Sequence, residues 1–305
     1  MRRVRSVAVA VMIAFLALAA PGSLAAKPGG YAVTSTEVQV PSRGIEIPAT
    51  VVRPEGKKNK RFPLVVIHHG HGGGRNENGG LARVAEALAR HGIMSIRFDF
   101  AGAGDSSEPF TMLSYTTMMA DSDASLTWAV RNLPVKKDAI GAFGYSEGSA
   151  VVAMLAGRPG TPYQAVSLLG PVADPDAVFK LSFGDAQWDA YYAEAQATGH
   201  VVITTQFGQV QDTSLEWFQE TLAADPAEDL SYFDGRVQLI WGEEEQVIPH
   251  SQVELFQAAA ADPAKSVSVV TIGDADHGYG FYSDQPSVDA TLHDAIVSFF
   301  GKALH

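Results

Sequence analysis

The chain has 305 residues, 46% of them hydrophobic, with a formal net charge of −12 and no cysteine. Size and apolar content supply a buried core and exclude a disordered chain, while the acidic balance excludes a nucleic-acid surface, since there is no basic patch beyond Lys57-Lys58-Asn59-Lys60-Arg61. The lack of cysteine removes disulfides, thiolate metal sites, a cysteine nucleophile and a lipid-bearing cysteine.

Met1-Arg2-Arg3-Val4-Arg5 is a basic opening, Val7 to Ala20 is apolar, and Ser23-Leu24-Ala25 supplies small residues of the kind a signal peptidase reads. Residues 1–25 are therefore expected to be a signal peptide cleaved after Ala25, which makes the protein secreted or periplasmic. A membrane anchor is disfavoured, because about 14 apolar residues fall short of the ~20 that cross a bilayer as a helix.

The rest, 26–305, reads as one α/β domain. Thr36–Val40 and Ile45–Val52 alternate apolar and polar residues around Ser42-Arg43-Gly44, the pattern of a hairpin. Pro63–His69 is a continuous apolar run, as a strand buried on both faces requires, and Leu81–Arg90 carries helical periodicity. A strand over Ile93–Phe100, a helix around Met118–Leu133, a strand Ala139–Phe143, a helix from Ser149 and a strand Ala165–Leu169 follow. The alternation breaks after Pro171, so residues 172–233 are read as an inserted cap, with helices over Asp189–Ala197 and Leu215–Ala224 and a short strand Val201–Thr205. Val237–Trp241, a helix Ser251–Ala261, a strand Val267–Ile272 and a helix Val288–Lys302 complete the chain. The order predicts a mostly parallel, eight-stranded sheet with helices on both faces and chemistry at the C-terminal ends of its strands.

Gly144-Tyr145-Ser146-Glu147-Gly148 sits between an apolar strand and a helix. A strand that feeds a helix through G-x-S-x-G lifts the serine hydroxyl clear of the backbone, which makes Ser146 the candidate nucleophile. Its base should come late in the chain, and His277, in Gly273-Asp274-Ala275-Asp276-His277-Gly278, is in that place; His250, His293, His91 and His200 start a helix, lie in a helix or sit in loops. The acid that orients the base is sought in Gly242-Glu243-Glu244-Glu245-Gln246-Val247-Ile248-Pro249. Glu245 is preferred for its spacing from Gly242 and from Val-Ile-Pro, with Glu243, Glu244 and Asp276 as alternatives. For the oxyanion, the N–H of Glu147 at the start of the elbow helix is one expected donor. The turn His68-His69-Gly70-His71-Gly72-Gly73-Gly74 supplies the second, from His71 or alternatively Gly72. No motif calls for a metal or an organic cofactor.

His69-Gly70, Asp99 to Ser106, the elbow, Gly242 to Pro249 and Asp276-His277-Gly278 together resemble the α/β-hydrolase superfamily over nearly the whole mature chain. Arg97-Phe98-Asp99-Phe100-Ala101-Gly102-Ala103-Gly104-Asp105-Ser106 is similar to the Asp-x-x-Gly-x-Gly-x-Ser turn of the serine-hydrolase branch, and the insertion after Pro171 resembles the cap of cinnamoyl and feruloyl esterases. Two departures are visible: Glu stands where the family usually has Asp, and Ala103 replaces the histidine common between the glycines. The resemblance implies a serine carboxylic ester hydrolase acting on a small-molecule ester, with the cap aromatics Phe179, Phe183, Trp188, Tyr191, Tyr192, Phe207, Trp217 and Phe218 as an apolar lid, about a third of them facing a pocket. A peptidase or amidase with the same triad and a non-catalytic binding protein on a hydrolase scaffold are the alternatives.

Overall fold

The computed structural model describes residues 30–56, 60–260 and 266–305; the expected signal peptide lies outside them. In chain order, β1 (Val33–Ser42) and β2 (Ile45–Pro54) are followed by β3 (Phe62–His68), α1 (Gly80–Arg90), β4 (Met94–Phe98), a 3₁₀ turn (Phe110–Met112), α2 (Tyr115–Asn132), β5 (Val135–Tyr145), α3 (Glu147–Ala156) and β6 (Ala165–Leu169). An insertion then carries α4 (Pro175–Phe183), α5 (Asp185–Thr198), β7 (His200–Thr204), β8 (Val210–Ser214), α6 (Leu215–Ala223) and α7 (Pro226–Ser231). The domain closes with β9 (Arg236–Gly242), α8 (Ser251–Ala259), β10 (Val267–Ile272) and α9 (Pro286–Leu304).

Eight strands form one sheet in the order β1-β2-β4-β3-β5-β6-β9-β10. The β1–β2 and β2–β4 pairs are antiparallel and the remaining pairs parallel. The β1–β2 hairpin turns through Arg43 (φ 49°) and Gly44 (φ 86°), two successive left-handed residues that match the twist of the strands. All seven residues of β3 are buried. Leu64 and Val66 face a core shared with α2, α3 and the insertion, while Val65 and Ile67 face a core shared with α1 and α9. The period of two in a strand covered on both sides thus explains why its sequence shows no polar alternation.

The insertion differs in detail from its sequence reading. β7 pairs antiparallel with β8, a strand with no apolar pattern: its buried residues are Gln211 and Thr213, and its one large apolar residue, Val210, is exposed. α4 and α7 were equally unannounced. Each starts at a proline behind an aspartate whose side chain caps the helix, Asp174 accepting from the Ala177 N–H and Asp225 from the Glu228 N–H. His200, expected in a loop, opens β7 and pairs with Asp212.

Candidate active site

The turn from β5 to α3 sets Ser146 at φ 53°, ψ −126°. A non-glycine residue here costs roughly 1–3 kcal/mol and persists only where its surroundings enforce it. They do so through three hydrogen bonds: the Ser146 N–H donates to the Leu169 carbonyl at 2.8 Å, and the Ser149 N–H and hydroxyl donate to the Ser146 carbonyl at 2.8 and 2.6 Å. Both flanking glycines are sterically required. A Cβ on Gly144 would lie 2.3 Å from the Gly148 carbonyl oxygen, and one on Gly148 would lie 2.4 Å from that of His69.

His277 follows β10, and Glu245 follows β9. The Glu245 carboxylate is fully buried and its Oε2 accepts from His277 Nδ1 at 2.8 Å. Oε2 also accepts from the Tyr279 hydroxyl at 3.1 Å, while Oε1 accepts the N–H groups of Val247 and Ile248 at 2.8 and 3.1 Å. Burial alone would raise the Glu245 pKa, but the His277 hydrogen bond and charge, with the two backbone donors, hold it below the ordinary carboxylate range. With Nδ1–H given to a carboxylate, the neutral imidazole keeps its lone pair on Nε2. Glu243, Glu244 and Asp276 are exposed and none bonds the His277 ring; Asp276 instead accepts the Gly278 N–H at 2.9 Å.

Ser146 and His277 line one cavity of about 680 Å³. Among the described residues the Ser146 hydroxyl has no hydrogen-bond partner, so it stands free in that cavity. His277 is fixed from three sides: the Tyr145 hydroxyl donates to its carbonyl at 2.8 Å, the Tyr145 ring lies 5.4 Å from its ring, and Phe207 of the insertion stacks on it at 6.3 Å and 11°.

His71 also borders the cavity, with Glu147 beside Ser146. Each glycine of this turn is closely packed: at Gly72 (φ 64°) a Cβ would lie 2.1 Å from Gln211 Nε2, and at Gly73 2.0 Å from Glu77 Oε1. The turn from Asp99 to Ser106 buttresses it. Asp99 accepts the Arg75 N–H at 2.7 Å, and the Gly104 N–H donates to the Gly73 carbonyl at 3.2 Å. His69 is occupied structurally, with Nδ1 on the Gly70 carbonyl at 2.8 Å and Nε2 accepting the Phe100 N–H at 3.0 Å.

Residues 43–229, more than half of the chain, match the model of the family described as X-Pro dipeptidyl-peptidase (S15 family). The chain belongs to the S15 family. Solved structures similar to this S15-family chain include Est1E from Butyrivibrio proteoclasticus with ferulic acid bound, at a TM-score of 0.72 and 18% identity over 87% of this chain and 98% of that one. Others are the acylaminoacyl peptidase of Pyrococcus horikoshii (TM-score 0.68, 15% identity, 89% of this chain and 42% of that one) and the esterase domain of a Rhodothermus marinus protein (0.66, 18%, 89% and 100%). No curated protein matches the sequence. The S15-family chain thus has the α/β-hydrolase fold and is a serine hydrolase.

Three of the eight insertion aromatics, Phe179, Phe183 and Phe207, line the cavity; Trp188, Trp217 and Phe218 are buried inside the insertion. Sequence reasoning missed Tyr145, Tyr279 and Gln211, which hold the site together. Tyr145 and Tyr279 lie within or beside recognisable motifs, but nothing in a linear pattern says where a phenol points.

Proposed function

We propose that the protein is an exported serine esterase in which Ser146, His277 and Glu245 form the triad and the N–H groups of Glu147 and His71 receive the oxyanion. The observation that carries this reading is the 2.8 Å hydrogen bond from His277 Nδ1 to a buried Glu245, in a cavity shared with the strained Ser146. His277 Nε2 takes the proton of Ser146 as its Oγ attacks the ester carbonyl. The tetrahedral oxyanion is stabilised by the two amides, and its collapse expels the alcohol, which takes the proton from His277. A water, deprotonated by the same nitrogen, then attacks the acyl-enzyme, and the acid leaves as Ser146 recovers its proton.

The segment over 172–233 serves as a cap, presenting Phe179, Phe183 and Phe207 to an aryl or acyl group. Aryl and hydroxycinnamoyl esters are accordingly the proposed substrates. Ser146→Ala, assayed against short nitrophenyl and hydroxycinnamoyl esters, is the test: turnover should fall by about four orders of magnitude or more, and undiminished turnover would end the proposal. Export is tested by the N-terminal residue of the mature protein, expected at Ala26 in a periplasmic or culture fraction.

A second reading is amide cleavage by the same residues, favoured by the family match over residues 43–229. Faster release of an aminoacyl-arylamide than of the matching ester would select it.

A further inference from the structure

Beside the triad lies a second imidazole–carboxylate pair. His71 Nδ1 meets Glu147 Oε2 at 2.9 Å, and His71 Nε2 meets Gln211 Oε1 at 2.8 Å. The Gln211 amide is oriented by its other end, since Nε2 reaches Gln209 Oε1 at 3.4 Å. Both ring nitrogens therefore face acceptors, and an imidazole satisfies two acceptors only when both nitrogens carry hydrogen. The Glu147 carboxylate, almost wholly buried, takes its second hydrogen bond from Trp217 Nε1–H at 3.0 Å. Phe110, Phe179 and Trp217 wall the His71 ring at 5.2–5.5 Å.

The two residues of this pair are also the two whose backbone N–H groups are assigned to the oxyanion. One sits on the turn after β3 and the other at the start of α3, and the side-chain pair links these two elements beside the cavity. Gln211 and Trp217 belong to the insertion, and Gln209 Nε2 donates to the Gly72 carbonyl at 3.1 Å. We propose that the His71–Glu147 ion pair is a positioning device that sets the spacing of the two oxyanion amides and makes it depend on the seating of the insertion. This rests on the serine-hydrolase reading above.

The pair has a pH signature. Burial lowers the proton affinity of His71, but the charge and hydrogen bond of Glu147 and the hydrogen bond to Gln211 outweigh it and raise the pKa above the ordinary histidine value. From the elements packed on this ring, Glu147 is the charged group that meets it; Gln211, Trp217, Phe179 and Phe110 are neutral, and the buried Tyr115 hydroxyl feels Glu147 and Glu220 from α2. A raised histidine keeps the pair intact at low pH and loses it as pH rises through its pKa, so the pair sets an alkaline limb on kcat.

The test compares the full-length wild type with Glu147→Gln and Gln211→Leu, neither of which alters a backbone N–H. Fluorophosphonate labelling of wild-type Ser146 comes first; no labelling overturns the serine reading and this proposal with it. Given labelling, Glu147→Gln should lower kcat about ten- to a hundredfold with KM within about twofold, and should move the alkaline limb to lower pH. A purely structural role would lower activity equally at every pH. Wild-type kcat and an unmoved limb in Glu147→Gln would overturn the proposal and leave the triad standing. Should thermal melting show that Glu147→Gln does not fold, Gln211→Leu decides: the limb is expected to move to lower pH with a severalfold loss of kcat, and a wild-type profile overturns the pair's role.

Discussion

The hydroxyl of Tyr145 donates to the main-chain carbonyl of His277 at 2.8 Å, so the residue immediately before Ser146, the proposed nucleophile, holds the residue proposed as its base. The two sit on different elements, the end of β5 and the loop after β10, and this bond ties the loop to the elbow. Tyr145→Phe keeps the ring packing and removes the tie. The expected result is a loss of about three- to tenfold in kcat, with stability lowered by about 1 kcal/mol, read by steady-state kinetics and by thermal unfolding.

Glu245 is expected to matter both to rate and to acid stability. Glu245→Gln leaves one acceptor oxygen for four donors and deprives His277 of its charge partner, so kcat should fall by about 10²- to 10⁴-fold. Its carboxylate is held below the ordinary range when folded. A depressed carboxylate contributes stability above its unfolded pKa and loses it as pH falls through the folded one. Urea midpoints measured from neutral to acid pH should therefore drop less steeply for Glu245→Gln than for the wild type, and parallel curves would contradict the assignment.

Phe207 is 64% exposed yet lies over the His277 ring, at the tip of the β7–β8 hairpin. An exposed aromatic that covers the proposed base is suited to meeting substrate. Phe207→Ala should raise KM for aromatic esters about three- to tenfold while leaving the melting temperature and the KM for acetate esters nearly unchanged.

Charge around the cavity gives a further expectation. Glu77, Glu147, Glu244 and Asp276 border it, and among the described residues no lysine or arginine does. Glu147 has His71 at 2.9 Å and Glu77 has His69 at 4.0 Å, while Glu244 and Asp276 are exposed carboxylates on the rim, so the rim repels anions. An ester bearing a free carboxylate, compared with its neutral isostere, should show kcat/KM lower by about tenfold or more at low salt, with the gap narrowing as ionic strength rises. Equal values at all salt concentrations would show that the acidic rim does not reach the substrate.

The parts of this protein that could be read from the chain are those whose cause is local. The elbow is a run of five residues because its tightness leaves no room for a Cβ at Gly144 or Gly148, and that exclusion is written as glycine. The buried strands announce themselves because both faces of β3 must be apolar. Segments stabilised by side-chain hydrogen bonds are quiet in the same text: β8 buries Gln211 and Thr213 and so carries no hydrophobic period.

What folding alone decided is which partners meet across long separations. Spacing from Gly242 and from Val-Ile-Pro favours Glu245 among three consecutive glutamates, but its burial against Tyr279 and His277 and its hold on the Val247 and Ile248 amides come from the turn after β9. Glu147 reads as an elbow residue with a useful N–H, yet its carboxylate joins His71, 76 positions earlier, to Trp217, 70 positions later. Local sterics constrain a backbone residue by residue and leave a signature in sequence, whereas the pairing of buried polar groups depends on where separate elements pack, which no single stretch of chain contains.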